Sequence, residues 1–208
     1  LAYLLCLPNV VVMAPSDEIE LKDIVYTASL NNSGPIYCRY PRGEAPGIEI
    51  SKKLSQMKIG KGRVIKKGKD IAVLSIGTML ENSIEVSKKL KTEGYNITVA
   101  DARFAKPIDK NLLMDLYNNH KILFIIEEGA TGGFSSHCLN IITSNDMLNK
   151  TPKIIRCLTL PDIFQEHASQ KEQLIEANLH VDGIYNKIKA CIKSQKIKKN
   201  LEINKRLK

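Results

Sequence analysis

Strand and helix signals alternate along most of this chain, and this alternation restricts the possible fold more than any other feature. Short apolar, β-branched runs such as Val10–Ala14 and Ile122–Glu127 are typical of buried strands. Between such runs lie longer segments whose apolar residues recur at helical spacing. Because parallel strands are joined by helical crossovers, this order predicts an α/β protein with mainly parallel sheets and helices on both faces.

The elements form two series. In the first, Val10–Ala14 predicts a strand, Asp17 predicts a helix N-cap with Glu20 completing a capping box, and Ile36–Tyr40 predicts a second strand. The chain from Pro41 to Gln56 combines Pro, Gly and polar residues without a clear period, as linkers do. We therefore predict a partial domain over residues 1–45, a linker over 46–57, a second domain over 58–192 and a basic tail over 193–208.

The second series repeats the strand–helix pattern over about 130 residues. Its predicted strands are Ile71–Ile76, Ile97–Asp101, Ile122–Glu127 and Ile154–Leu158. Its predicted helices cover Leu80–Glu93 and Ile108–Tyr117, then a segment with Phe134, Cys138, Ile141 and Ile142 on one face, and a last helix with Ile184, Ile188, Cys191 and Ile192 on one side.

The net charge of +9 is concentrated at the C-terminal end. From Lys187 onward there are nine Lys or Arg residues and one acid, Glu202, which leaves +1 for the rest of the chain. The tail has no interleaved aromatic residues and no groove-reading motif, so we predict no nucleic-acid partner. The longest apolar stretches, such as Leu4–Val12, are too short to span a bilayer, so we predict no membrane partner.

The cysteines and histidines indicate no metal site. Five cysteines are scattered without a C-x-x-C pair, which fits neither a zinc site nor a disulfide framework and favours a reducing compartment. No two histidines have metal-ligand spacing. We therefore assign no metal ligand to this chain, and we also name no catalytic and no cofactor-binding residue in it.

The segment Arg39-Tyr40-Pro41-Arg42-Gly43 directly follows a predicted strand. Ligands of parallel sheets bind beyond the carboxyl ends of the strands, and the planar guanidinium of arginine suits phosphate or carboxylate. The alternative is that both arginines form surface salt bridges. Spacing alone does not choose between these two interpretations.

Two further segments favour structural roles. In Asp101–Asp109, Pro107 opens a helix, and Arg103 can pair with Asp101 or with a neighbouring domain. The turn Glu127–Gly133 matches neither phosphate-binding glycine motif, so its glycines indicate a tight turn and close helix–strand packing. The four histidines are interpreted as structural: His120 and His180 flank helices, His137 follows the glycine turn, and His167 lies on a late loop.

Taken together, these segments resemble the C-terminal part of the 1-deoxy-D-xylulose-5-phosphate synthases, which are transketolase-like thiamine-diphosphate enzymes. Residues 3–9, 15–18 and 34–43 resemble the latter half of that family's pyrimidine-binding domain. Residues 59–62, 75–78, 101–109, 127–133 and 160–162 resemble its transketolase-type C-terminal domain. The segments occur in the family's order.

The resemblance implies an activity and a substrate-binding residue. These synthases condense pyruvate with D-glyceraldehyde 3-phosphate, release CO2 and begin the non-mevalonate isoprenoid pathway, using thiamine diphosphate and Mg²⁺. The family's second arginine in this segment contacts the acceptor phosphate, which makes Arg42 the implied substrate-binding residue. The family's Gly-Asp-Gly cofactor motif is absent. Since Leu1 opens the sequence in mid-pattern, we expect an inactive fragment that needs the N-terminal domains of the same protein and forms a homodimer.

Two other functions and two locations remain open. The β subunit of a 2-oxo acid dehydrogenase E1 component shares the D-x-R-x3-P-x-D segment and the Glu-Glu…Gly-Gly turn. A non-catalytic dimerisation or interaction domain is the other alternative. The abundance of Lys, Asn and Ile favours a plastid-type organelle (an apicoplast), with a bacterial cytoplasm as the alternative.

Overall fold

The computed structural model of the chain describes residues 1–31, 34–41, 46–144 and 153–206, with 195–206 described by their backbone alone. In chain order its elements are α1 (Ala2–Cys6), β1 (Val11–Met13), α2 (Glu18–Ser29), β2 (Ile36–Cys38), β3 (Arg63–Lys66), β4 (Ile71–Ser75), α3 (Met79–Thr92), β5 (Thr98–Asp101), β6 (Phe104–Lys106), α4 (Lys110–Asn119), β7 (Ile122–Ile126), α5 (Phe134–Ser144), β8 (Ile154–Leu158), α6 (Gln170–Glu176) and α7 (Val181–Arg206).

The larger sheet has the strand order β3-β5-β4-β7-β8. Strands β5, β4, β7 and β8 are parallel, and β3 is an antiparallel edge strand. Every residue of β4, β5 and β7 is buried, because helices cover both faces of this sheet. The predicted α/β class with mainly parallel strands and helices on both faces is confirmed.

The smaller sheet has the order β2-β1-β6 and contains a strand that the sequence did not predict. Strand β1 is parallel to β2 and antiparallel to β6. Residues 104–106 lie in the Asp101–Asp109 segment, for which the sequence indicated a helix start at Pro107 and no strand. This strand is only three residues long, and it forms through pairing with Val12 and Met13, about ninety residues earlier in the chain, which no local pattern reveals.

The start of α2 departs from the predicted capping box in one respect. The Asp17 carboxylate accepts a hydrogen bond from the Glu20 amide at 2.8 Å, so the predicted N-cap is confirmed. The Glu20 side chain does not return to the cap; it is buried and pairs with Arg63 and Arg103. Tertiary ion pairing has replaced the local bond.

Two hydrophobic clusters fill the two sides of the larger sheet. One joins this sheet to α4, α5 and the smaller sheet, with Leu74, Leu113 and Phe134 among its members. The other joins the opposite face to α3 and α7, with Leu90 and Ile184. Each fully buried aliphatic side chain stabilises the fold by roughly 1.5–3 kcal/mol.

Both helix faces predicted from the sequence lie in these clusters; their buried members are Phe134, Cys138, Ile142, Ile184, Ile188, Cys191 and Ile192. Among the residues that the structure describes, no helix combines the length and apolar content needed to cross a membrane.

Candidate functional site

Residues that follow β2 and β4 contact one carboxylate that follows β7, that of Glu128. Glu128 follows β7, and its Oε1 lies 3.4 Å from a terminal nitrogen of Arg39, which follows β2. Its Oε2 accepts a hydrogen bond from the Thr78 hydroxyl, after β4, at 3.1 Å. Arg39, the first arginine of the Arg39–Gly43 segment, therefore forms an ion pair that joins the smaller sheet to the larger one.

The predicted substrate-binding residue, Arg42, lies outside the described residues. Its described neighbours Pro41 and Pro46 line a cavity of about 870 Å³. This cavity is bounded by the loop after β1 and by the N-terminal residues of α3, α6 and α7. Ligand sites in open α/β sheets lie beyond the carboxyl ends of the strands, and β1, β2 and β4 all end toward this cavity.

Beside the cavity, four charged side chains from α2, β3, β5 and the loop before β6 form a compact cluster. Glu20 on α2 accepts from Arg103 at 2.6 Å and pairs with Arg63 at 3.2 Å. Arg63 also pairs with Asp101 at 3.2 Å and donates to the Ser16 hydroxyl at 3.3 Å. Two carboxylates and two guanidinium groups balance in charge, which is what burial of Glu20 and Asp101 requires.

Hydrogen bonds hold Arg103 in an unusual backbone conformation. Its backbone adopts a φ of 58°, which is unfavourable for a residue other than glycine. Its amide donates to the Asp101 carboxylate at 3.0 Å, and its carbonyl accepts from the Ala14 amide at 2.9 Å. The Arg103 side chain pairs with Glu20 on α2, whereas its contact with Asp101 is made by the backbone amide.

Burial raises the pKa of Glu20, and the nearby Asp101 carboxylate raises it further while both arginines oppose the shift. Burial likewise raises the pKa of Asp101. Arg63 contacts both carboxylates, a role that its sequence pattern did not indicate. The feature that could have indicated this role is the position of Arg63 at the start of β3, where it pairs with Asp101 at the carboxyl end of β5.

The glycine turn holds a buried carboxylate against the start of α5. Glu127 is fully buried and accepts from the amides of Phe134 and Ser135 at 3.0 and 2.7 Å, and from the Ser135 hydroxyl at 2.7 Å. A β-carbon at Gly129 or Gly133 would lie 2.7 or 2.5 Å from its Oε2. The prediction that these glycines allow close helix–strand packing is confirmed, and Glu127 is the group they accommodate.

The histidines lie apart from one another. His120 is the C-cap of α4, and its ring nitrogens contact the Leu116 carbonyl at 2.9 Å and the Thr98 hydroxyl at 2.7 Å. His137 is half-buried in α5, and His167 is exposed. His180 lies just before α7, and its Nδ1 is buried without a hydrogen-bond partner among the described residues.

The described residues do not fit the metal and diphosphate of thiamine diphosphate. Within the described ranges, no group of three or more His, Cys, Asp or Glu side chains is arranged to hold a metal ion. Glu127, directly after β7, is bonded to amides that open α5, and Asp101, at the end of β5, is paired with Arg63. We therefore derive no catalytic step through either group from this chain.

Comparison with known proteins gives consistent results. The profile of the family described as "Transketolase, C-terminal domain" matches residues 60–184. A solved structure described as "Split gene transketolase, inactive beta4 tetramer" is 26% identical, with a TM-score of 0.76, covering 91% of this chain and 60% of that one.

Two mutant transketolases from Pichia stipitis share the fold at 16% identity. One has a TM-score of 0.67 and covers 94% of this chain and 27% of its own. The other, described as a complex with xylulose 5-phosphate, has a TM-score of 0.64 and covers 89% and 25%. This chain thus spans between a quarter and about three fifths of the length of these relatives.

The family match takes in more than half of the 208 residues, and the chain belongs to the transketolase C-terminal domain family.

Proposed function

We propose that this chain is the C-terminal part of a 1-deoxy-D-xylulose-5-phosphate synthase. The complete enzyme would condense pyruvate with D-glyceraldehyde 3-phosphate and release CO2. Membership of the transketolase C-terminal domain family supports the enzyme class. The ordered segments, above all Arg39–Gly43 and Ile59–Gly62, favour this synthase over the β subunit of a 2-oxo acid dehydrogenase.

The observation that carries the proposal is the ion pair of Arg39 with Glu128 at 3.4 Å. This contact gives Arg39 a structural partner, and the family resemblance assigns the phosphate contact to Arg42, the second arginine of the segment. A guanidinium binds phosphate through two parallel hydrogen bonds. We assign this contact with the acceptor's phosphate to Arg42.

Enzymes of the transketolase family use thiamine diphosphate and a divalent metal, which supply the carbanion chemistry when bound. In our proposal other domains of the same protein hold both groups, and this chain alone is inactive. The inactive state stated for the split-gene transketolase tetramer supports that expectation. A homodimer, a role in isoprenoid biosynthesis and a plastid-type location belong to the same proposal.

The test is the activity of the complete protein, followed by NMR of the products. We expect 1-deoxy-D-xylulose 5-phosphate and CO2 from pyruvate and D-glyceraldehyde 3-phosphate. Ketol transfer from xylulose 5-phosphate in its place would identify a transketolase. Acyl transfer to a lipoyl group would identify the dehydrogenase component.

A second measurement tests whether this chain binds the cofactor without the other domains. Calorimetry of the 208-residue chain with thiamine diphosphate and Mg²⁺ should detect no binding. Tight binding would contradict the assignment of the cofactor to the other domains.

A further inference from the structure

The cavity beside the charged cluster has walls suited to an apolar ligand. Leu21, Met79, Leu174 and Val181 contribute side chains from α2, α3, α6 and α7. Its volume of about 870 Å³ lies within the range of small-molecule sites, which combine apolar walls with a few convergent polar groups. Neither the proposed contact of Arg42 nor the packing of the fold assigns a ligand to these walls.

Two polar atoms on these walls lack partners. In the described part of the chain, the buried side-chain atoms without a hydrogen-bond partner include Glu18 Oε2 and His180 Nδ1, and both residues line the cavity. They come from different walls, the first turn of α2 and the residue before α7. Buried polar atoms are normally paired, so an unpaired one needs an explanation, and a bound ligand would provide partners for both.

The Glu18 carboxylate is held in position by the backbone. Its Oε1 accepts hydrogen bonds from the amides of Gly47 at 2.5 Å and Ile48 at 3.2 Å. Backbone hydrogen bonds, first from its own amide and then from Gly47 and Ile48, lower the pKa of Glu18, so the group is ionised at neutral pH. An ionised carboxylate only accepts hydrogen bonds; a partner of Oε2 must therefore be a donor.

The charges around the cavity agree with that requirement. Among the described lining residues, Asp17 caps α2 and Asp182 pairs with Lys89 at 2.7 Å, so the carboxylates of Glu18 and Glu81 remain against the ammonium group of Lys171. The described lining is therefore acidic in a chain whose net charge is +9. It disfavours a phosphate and favours a cation.

We propose that this cavity binds a small amphipathic cation, an apolar or aromatic body with an ammonium group that donates to Glu18 Oε2. The apolar body lies against Leu174 and Val181, and a polar group of the ligand meets His180 Nδ1. This proposal concerns the walls formed by α2, α3, α6 and α7, and it is separate from the acceptor-phosphate contact assigned to Arg42.

Tryptamine and indole-3-propionate provide a matched pair of probes. They share an indole body and a short side chain but differ in the sign of their charge. The chain contains no tryptophan, so indole emission reports the probe alone. We expect the 208-residue chain to bind tryptamine at least about tenfold more tightly than indole-3-propionate, since only the ammonium can donate to the carboxylate.

Substitutions then locate the site. Glu18→Gln keeps an acceptor oxygen for Gly47 and Ile48 but removes the charge, and should weaken tryptamine binding about fivefold or more. Glu85→Gln, on the exposed surface of α3, should leave binding unchanged. Lys171→Glu, also at an exposed position, removes the opposing charge and should strengthen binding about two- to threefold.

Lys171→Glu keeps the test decisive if Glu18→Gln fails to fold. Equal affinity for the two probes, no binding of tryptamine, or equal effects of Glu18→Gln and Glu85→Gln would each overturn the proposal. Binding by the 208-residue chain that is lost in the complete protein would also overturn it, because another domain would then occupy the cavity.

Discussion

Replacing Glu127 by alanine should strongly destabilise the chain. The side chain is fully buried and accepts from the Phe134 amide, the Ser135 amide and the Ser135 hydroxyl. A hydrogen bond to a charged group contributes roughly 1.5–3 kcal/mol. The hydroxyl can turn to another acceptor, but the two amides in the first turn of α5 cannot. We therefore expect a loss of about 4 kcal/mol in the free energy of unfolding.

Urea denaturation followed by far-UV circular dichroism measures this loss. With a slope of about 2 kcal/mol per molar urea, the midpoint should fall by about 2 M. Glu85→Ala is the control, because Glu85 is exposed and forms a surface ion pair with Lys88, three residues away, so its loss should stay within about 0.5 kcal/mol. A loss below about 1 kcal/mol for Glu127→Ala would refute the account of the turn.

A double-mutant cycle isolates the contact between Glu127 and the glycines. A β-carbon at Gly133 would lie 2.5 Å from Glu127 Oε2, so Gly133→Ala should cost about 2 kcal/mol in the wild type. In the Glu127→Ala background that oxygen is gone, and the cost should fall by at least about 1 kcal/mol. Equal losses in the free energy of unfolding in the two backgrounds would show that the effect of Gly133→Ala does not arise from the contact with Glu127.

Three further outcomes follow from single sites. Iodoacetamide at pH 8 should modify exposed Cys6 first and spare Cys138, because burial raises the pKa of the Cys138 thiol well above its usual value; equal rates would contradict this. Hydrogen bonds from Lys189 and then Tyr185 lower the pKa of Glu93, so stability present above about pH 4.5 should fall as pH drops through the lowered pKa. In Lys189→Met the melting temperature should fall less steeply as the pH drops. An unchanged dependence of the melting temperature on pH would exclude a contribution from this pair. Ser169→Ala removes the capping box of α6 and should cost about 1 kcal/mol, seen as faster amide exchange in α6 alone.

The four parallel strands of the larger sheet could be predicted because each forms a short, mostly apolar run in the sequence. Runs such as Ile122–Ile126 are apolar at each position, and helices follow them at regular intervals. Strands β3 and β6 were missed since they are short and form by pairing with segments far along the chain. The Arg63–Lys66 pattern has one apolar pair in its middle, too little to indicate a strand.

The charged groups were harder to predict than the core. Glu20 has the spacing of a capping box, but two arginines from distant segments provide stronger partners, and the local bond is not formed. Glu127 and Glu128 are adjacent in sequence, yet one faces the amides of α5 and the other faces Arg39 and Thr78. Which partner a charged side chain finds depends on tertiary placement, which a single sequence does not specify.

The acceptor preference of the complete enzyme tests the central proposal most directly. The measurement compares KM for D-glyceraldehyde 3-phosphate and for unphosphorylated D-glyceraldehyde in the wild type, in Arg42→Ala and in the control Arg39→Ala. We expect Arg42→Ala to raise KM for the phosphorylated acceptor roughly 10- to 100-fold, as the loss of a charged hydrogen-bonded pair predicts. KM for glyceraldehyde and for pyruvate should stay the same, and Arg39→Ala should keep the preference for phosphate. An unchanged KM for D-glyceraldehyde 3-phosphate in Arg42→Ala would remove Arg42 from the site and contradict the proposal.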